Sequence, residues 1–269
     1  MSSTFNITIT APVAAGPRLS AGYQSTCGVT TGGGAYCWGA NEWAQLGNGS
    51  LTGSLIPSGV SGGLSFASVS VGSFHPTHTC GVTTSGAAYC WGADSLGELG
   101  NGSPTAYSLT PVAVSGGLSF AAVSGGARFT CGVTTSGAGY CWGDNGYGAL
   151  GNGSNVSNST TPVAVVGGLS FATVSAGFGQ TCGVTTSGAA YCWGNNQYGQ
   201  LGIGSTSPTL TPLAVSGGLS FASVSAGTDF TCGVTTGGAA YCWGHPGALG
   251  NGTATSSAIP VAVSGGLSF

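Results

Sequence analysis

The chain repeats itself. The string CGVTTGGGAYCWG at Cys27–Gly39 returns as CGVTTSGAAYCWG at Cys80–Gly92, CGVTTSGAGYCWG at Cys131–Gly143, CGVTTSGAAYCWG at Cys182–Gly194 and CGVTTGGAAYCWG at Cys232–Gly244. Successive leading cysteines stand 53, 51, 51 and 50 residues apart. Each copy runs on into a loop ending LGNG, or LGIG in the fourth, then a variable polar stretch, then a PVAV-type segment. A period of this length belongs to architectures in which each unit buries its apolar faces against its neighbours.

Within a copy the segments are short, rich in Val, Thr, Tyr and Phe, and bounded by glycine, which predicts strands. No stretch sustains apolar residues at spacings of three and four, so no helix is expected. Thr84, Ser85 and Gly86 suit a tight hairpin that needs positive φ at glycine. Pro111, Pro162, Pro212 and Pro260 open segments that read as outer edge strands, where a missing ladder donor is harmless. Four strands per unit is the pattern of a propeller blade. The expectation is an all-β chain: a β-propeller of five four-stranded repeats over residues 18–269, each of about 51 residues, preceded by an extension at 1–17 that carries an extra strand.

Composition removes several functions. Only Arg18, Arg128, Asp94, Asp144, Asp229, Glu42 and Glu98 are charged, and there is no lysine. Two arginines and a net charge of −3 cannot neutralise a phosphate backbone or clamp an anionic bilayer, so neither nucleic acid nor membrane binding is expected. Gly, Ser or Thr interrupts every apolar run well short of a membrane-spanning helix, and no membrane insertion is expected.

The order HTCGVTTSGAAYCWGADSLGELGNG within Gly72–Gly102 resembles the regulator of chromosome condensation repeat family, through its Y-x-W-G and G-x-L-G elements. The similarity spans about Leu19 to Phe269 and implies radially arranged blades. Three features depart from the family pattern. The best-known members have seven repeats and this chain has five; the His-Thr pair occurs only at His78-Thr79, with Ser25, Phe129, Gln180 and Phe230 standing in the other copies; and each repeat carries two cysteines. Nucleotide-exchange activity would rest on family analogy alone, and a fold does not carry a function with it.

The two cysteines of each repeat lie ten positions apart, flanking the hairpin. Opposed residues on neighbouring strands approach within reach of a disulfide. The pairing that treats all repeats alike is Cys27–Cys37, Cys80–Cys90, Cys131–Cys141, Cys182–Cys192 and Cys232–Cys242. The alternative is ten reduced cysteines packed as small hydrophobes. Zinc is not expected, because no C-x2-C spacing occurs and the histidines do not recur with the repeat. Persistent disulfides imply an extracellular or cell-surface location. Residues 2–10 lack a basic, apolar leader pattern, so this expectation places any export signal outside the sequence.

Asn6, Asn48, Asn101, Asn152, Asn155, Asn158 and Asn251 head Asn-x-Ser/Thr sequons. They are candidate glycosylation sites, and several are also Asn-Gly turn formers. Alternation places Tyr36, Tyr89, Tyr140, Tyr191 and Tyr241 on the same strand face as Trp38, Trp91, Trp142, Trp193 and Trp243, with cysteine on the other face. Inter-blade packing is the expected use, and a sugar-stacking shelf the alternative. Trp43 lies outside the motif and is a weak candidate for an exposed contact. The acids are scattered and no nucleophile elbow, phosphate loop or metal motif is present. His75 and His78 read as loop residues. No enzyme, cofactor or metal is expected.

Phe5, Ile7 and Ile9 alternate with polar residues in Thr4–Thr10, a period-two strand surplus to the repeats. Such a strand closes the ring or packs within its own molecule, or else it pairs with a neighbouring copy, where unclosed head-to-tail contacts build filaments. The sequence thus favours an exported, non-enzymatic structural subunit that assembles with itself. The alternative is a module that recognises glycan or protein through the variable stretches Ser50–Ser58, Ser103–Thr110, Ser154–Thr161 and Ser205–Thr211.

Overall fold

A computed structural model describes residues 18–156 and 158–269. They form five four-stranded antiparallel sheets, each taken up in sequence order. The first blade holds β1 (Leu19–Ala21), β2 (Ser25–Val29), β3 (Ala35–Gly39) and β4 (Ser54–Gly59). The second holds β5 (Phe66–Val71), β6 (His78–Thr83), β7 (Ala88–Ala93) and β8 (Tyr107–Ala113). The third holds β9 (Phe120–Gly125), β10 (Phe129–Thr134), β11 (Gly139–Gly143) and β12 (Ser159–Ala164). The fourth holds β13 (Phe171–Ala176), β14 (Gln180–Thr185), β15 (Ala190–Gly194) and β16 (Thr209–Ala214). The fifth holds β17 (Phe221–Ala226), β18 (Phe230–Thr235), β19 (Ala240–Gly244) and β20 (Ser257–Ala262).

The first strands of successive blades pack beside one another, β1 on β5, β5 on β9, β9 on β13 and β13 on β17, and line the propeller axis. The last strand of each blade lies at the rim and carries a proline: Pro57, Pro111, Pro162, Pro212 and Pro260. An edge position is where a residue without an N–H costs no ladder bond. The second and third strands are joined by the expected hairpin. In blade 2, Gly86 N donates to Thr83 O at 2.9 Å, with Gly86 at φ +88°.

This hairpin sets the register that places cysteine opposite cysteine in every blade. Cys27–Cys37, Cys80–Cys90, Cys131–Cys141, Cys182–Cys192 and Cys232–Cys242 are disulfides, with Cα–Cα distances of 4.0–4.1 Å. All ten cysteines are bonded in this way.

The first four disulfides each belong to a seam between blades. Cys27, Val29, Cys37 and Leu46 of blade 1 pack against Phe66, Val69 and Trp91 of blade 2, and the same set recurs at the next three junctions. The seam joins two unlike surfaces, the cysteine face of one blade and the tryptophan face of the next. Phe66 lies directly on Gly81, where a Cβ would stand 2.6 Å from its ring. The glycine of CGV is therefore a packing requirement. A carbonyl bonds the next blade at each junction: Gln45 O accepts from Thr79 Oγ1 at 2.9 Å and from Trp91 Nε1 at 3.0 Å. The next two junctions repeat both bonds. At the fourth, Gln200 O accepts from Thr231 Oγ1, while Trp243 Nε1 has no hydrogen-bond partner among the described residues.

Two surfaces have no such mate among the described residues. Trp38 of blade 1 is half-buried, whereas Trp91, Trp142, Trp193 and Trp243 are fully buried. Cys232 and Val234 of blade 5 are also half-buried, and they help line a groove of about 310 Å³ with Val224, Val263 and Phe269. One 3-10 turn, Pro246–Ala248, departs from the expected absence of helix. It occupies the fifth LG loop, which is shorter than its counterparts.

Candidate recognition face

Antiparallel zigzagging sends the loops between first and second strands, and those between third and fourth strands, to the same end of every blade. That end carries every charged residue except Arg18, which precedes β1, and all three histidines. The opposite end, made of Thr-Ser-Gly or Thr-Gly-Gly hairpins and Ser-Gly-Gly-Leu-type connections, carries Arg18 as its one charged side chain among the described residues.

The inner loops of the charged end are held to one another by main-chain bonds. Tyr23 N donates to Gly72 O at 3.1 Å, Ser73 N to Gly126 O at 3.3 Å, Ala127 N to Gly177 O at 3.0 Å and Phe178 N to Gly227 O at 3.2 Å. This chain of bonds fixes a rigid rim, which limits the ordering cost of binding. The outer loops of blades 1, 3 and 4 are pinned by an asparagine three residues after the motif tryptophan. Asn41 Nδ2 donates to Ser50 O and Thr52 O, while its Oδ1 accepts Leu46 N. Asn145 and Asn196 repeat the arrangement. Recurrence at a fixed offset from tryptophan is the sequence signal that marks these asparagines.

Blade 2 has Asp94 in this position and Glu98 where blades 1 and 4 have Gln45 and Gln200. Both carboxylates are fully buried, and Asp94 Oδ2 and Glu98 Oε1 have no hydrogen-bond partner. Burial pushes both above the usual carboxylate range. The amide of Leu99 and the Thr105 main chain and hydroxyl draw Asp94 partway back. The main-chain amides of Glu98 and Leu96 do the same for Glu98, while Asp94 raises it further and Arg128 opposes that.

His78 is not a loop residue. It is fully buried in β6, with Nε2 2.8 Å from Thr130 Oγ1 and Nδ1 unpartnered, and burial lowers its pKa to about 4. It fills the space that Phe129 and Phe230 fill in their blades. His75 lies apart, at the surface: Trp43 Nε1 donates to its Nε2 at 2.9 Å, and Tyr23 packs edge-on against the same ring. Trp43 is thus tied into an aromatic cluster.

Nearer the axis, Phe74 of blade 2 meets Phe178 of blade 4 edge to face, with ring centroids 4.9 Å apart. Beside them, Ala127, Arg128, Asp144 and Tyr147 complete a pocket of about 290 Å³. Tyr147 is 49% exposed and Phe74 39%. Among the described residues no hydrogen bond or ion pair engages the Arg128 guanidinium. Asp144 Oδ1 accepts Gly146 N at 2.9 Å. A second aromatic pair, Tyr198 and His245, stands further round.

The sequon asparagines Asn48, Asn101, Asn152 and Asn251 form turns, each Oδ1 accepting the amide two residues on at 3.0–3.1 Å. Asn155 and Asn158 are exposed. Asn6, with the strand residues Phe5, Ile7 and Ile9, lies outside the described residues. The variable stretches run into β4, β8, β12 and β16 at the blade rims, and two of them reach the axial loops, where Asn155, Thr206 and Pro208 share a second pocket with Tyr147. Among the described residues no three His, Cys, Asp or Glu side chains gather to hold a metal, and no helix is long and apolar enough to cross a membrane.

Five like blades, sutured by disulfides and opening one charged, aromatic loop face, define a repeat-built β-propeller. The regulator of chromosome condensation (RCC1) repeat pattern matches residues 32–77, 85–133, 136–184 and 187–234, and the chain belongs to this family. The ultraviolet-B receptor UVR8 of Arabidopsis thaliana is 34% identical over 192 residues, 70% of this chain and 43% of that protein. The E3 ubiquitin-protein ligase HERC2 of Homo sapiens is 32% identical over 201 residues, 71% of this chain and 4% of that one. The chain thus spans less than half of either relative. Among solved structures, human WBSCR16 superposes with a TM-score of 0.81 at 19% identity, covering 92% of this chain and 66% of that one. The ectodomain of the Physcomitrella patens receptor kinase CR4 gives 0.56 at 25% identity, covering 84% of this chain and 51% of that one.

Proposed function

We propose that this propeller is a non-enzymatic recognition module of the extracellular type, and that its loop face is the binding surface. The observation that carries this reading is the convergence of exposed aromatics, Tyr23, Phe74, Tyr147 and Tyr198, with nearly all the charge on one pre-braced end. Exposed aromatics beside a few polar groups are the usual composition of a binding surface. Five disulfides fit an oxidising compartment. The likeness to a receptor-kinase ectodomain supports the same setting. The test is a screen of immobilised glycans and peptides against the wild type and a Tyr23→Ala/Tyr147→Ala variant. Binding that disappears in the variant but survives Ile259→Ala on a rim strand supports the reading; silence across the screen, or indifference to the loop substitutions, rejects it.

Self-assembly is the second reading, and a separate observation favours it. Trp38 and the Cys232–Val234 groove are the two halves of the seam that joins the blades internally, so one copy's first blade matches another's fifth. Head-to-tail contacts of this kind extend without closing. Strand addition by Phe5, Ile7 and Ile9 would strengthen such a contact, and glycans at the sequons would keep so uncharged a surface soluble. Light scattering of wild type, Val234→Asp and a deletion of residues 2–10 separates the cases. Oligomers lost in either variant support assembly, and a monomer at every concentration rejects it.

A further inference from the structure

We propose that the axial pocket bounded by Phe74, Arg128, Asp144, Tyr147 and Phe178 is a binding site for an uncharged pyranose sugar. This rests on the loop face being a recognition surface and names what that surface takes.

The electrostatics favour a neutral ligand. Arg128 and Asp144 border the same small pocket. A carboxylate or phosphate drawn to the guanidinium meets Asp144, and an ammonium drawn to Asp144 meets Arg128. A polyhydroxylated ring satisfies both at once, because vicinal hydroxyls accept from a guanidinium fork and donate to a carboxylate. No hydrogen bond among the described residues engages the Arg128 guanidinium, whose charge acts on the buried Glu98. Asp144 is anchored through Oδ1 to Gly146 N, and its other oxygen is available to a ligand.

The apolar part of the pocket points to the same class. Aromatic faces carry negative quadrupole density, which attracts the weakly positive C–H faces of a pyranose. Phe74 and Phe178 meet edge to face, so one ring keeps its face free of the other. Tyr147 stands over Gly179, where a Cβ would come within 2.8 Å of its ring. That close fit holds the ring upright at the pocket wall. The volume of about 290 Å³ lies at the low end of small-molecule sites, room for a monosaccharide or disaccharide. An extended peptide would need a free strand edge or a long groove, and the inner loops spend their amides on one another.

The experiment is saturation-transfer NMR on the purified, disulfide-bonded protein. The probes are methyl glycosides of glucose, galactose, mannose and N-acetylglucosamine, with short unrelated peptides alongside. At least one glycoside should receive transfer, and its affinity should fall roughly tenfold or more in Phe178→Ala and in Arg128→Ala, the loss of about 1.4 kcal/mol that one stacked ring or one charged hydrogen bond contributes. Ile259→Ala should bind like wild type. No transfer to any glycoside, or transfer that both pocket variants retain, overturns the proposal. If peptides bind and sugars do not, the sugar assignment fails while loop-face recognition stands; if nothing binds, both fail.

Discussion

Trp142 Nε1 donates to the main-chain carbonyl of Glu98 at 2.8 Å, a bond from the third blade into a loop of the second. Thr130 Oγ1 reaches the same carbonyl at 3.0 Å. The seam is therefore a polar lock set in an apolar wall. Trp142→Ala should cost about 3–5 kcal/mol, the usual loss for a buried aromatic. Trp38→Ala should cost clearly less, because Trp38 is only half-buried. Denaturant unfolding of the two variants beside wild type measures both.

Asp94 and Glu98 should make the protein less stable at neutral pH than at mildly acid pH. Their folded pKa values lie above the unfolded ones. Their stabilising contribution is therefore full below the unfolded carboxylate range, near pH 4, and is lost as pH rises through the folded values. Asp94→Asn restores the donor that Asn41 uses on Ser50 O. It should stabilise the protein at pH 7 by about 1 kcal/mol and flatten that slope in melts taken across pH.

His78 acts in the opposite sense. Its folded pKa of about 4 lies below the ordinary histidine value of 6.5, so its contribution is present above pH 6.5 and is lost as pH falls toward 4. At about 1.4 kcal/mol per pH unit, the loss is on the order of 3 kcal/mol. His78→Gln, the residue of blade 4, should abolish this acid sensitivity without touching the slope set by Asp94 and Glu98.

Reduction should begin at blade 5. Cys232 is half-buried, while both cysteines of every other pair are fully buried. Under a graded reductant, alkylation and mass spectrometry should find Cys232 and Cys242 labelled first. Each ten-residue loop released should cost about 2–3 kcal/mol in the chain-entropy account.

Much of the scaffold was legible because the repeat wrote each position five times. Thr-Ser-Gly between two cysteines fixes a hairpin, the hairpin fixes the register, and the register opposes Cys80 to Cys90. Pro111 and Pro162 marked the rim for the same local reason. His78 reads as loop because its neighbours are His75 and Pro76; the repeat register places it instead at the head of a second strand, where Ser25, Phe129, Gln180 and Phe230 stand in the other blades. The axial pocket was not legible. Phe74, Arg128 and Phe178 recur nowhere in register, and they meet only because loops from three blades converge on one axis. Periodicity reports what a chain repeats and is silent about what it brings together once.

Every junction between blades mates the same pair of dissimilar surfaces, so it has a direction and no individual identity. Excising or duplicating one whole unit through recombination would leave all surviving junctions chemically intact. The loops around the axis could then be exchanged a blade at a time, and a lineage built on such a part can vary what it meets while its masonry stays constant.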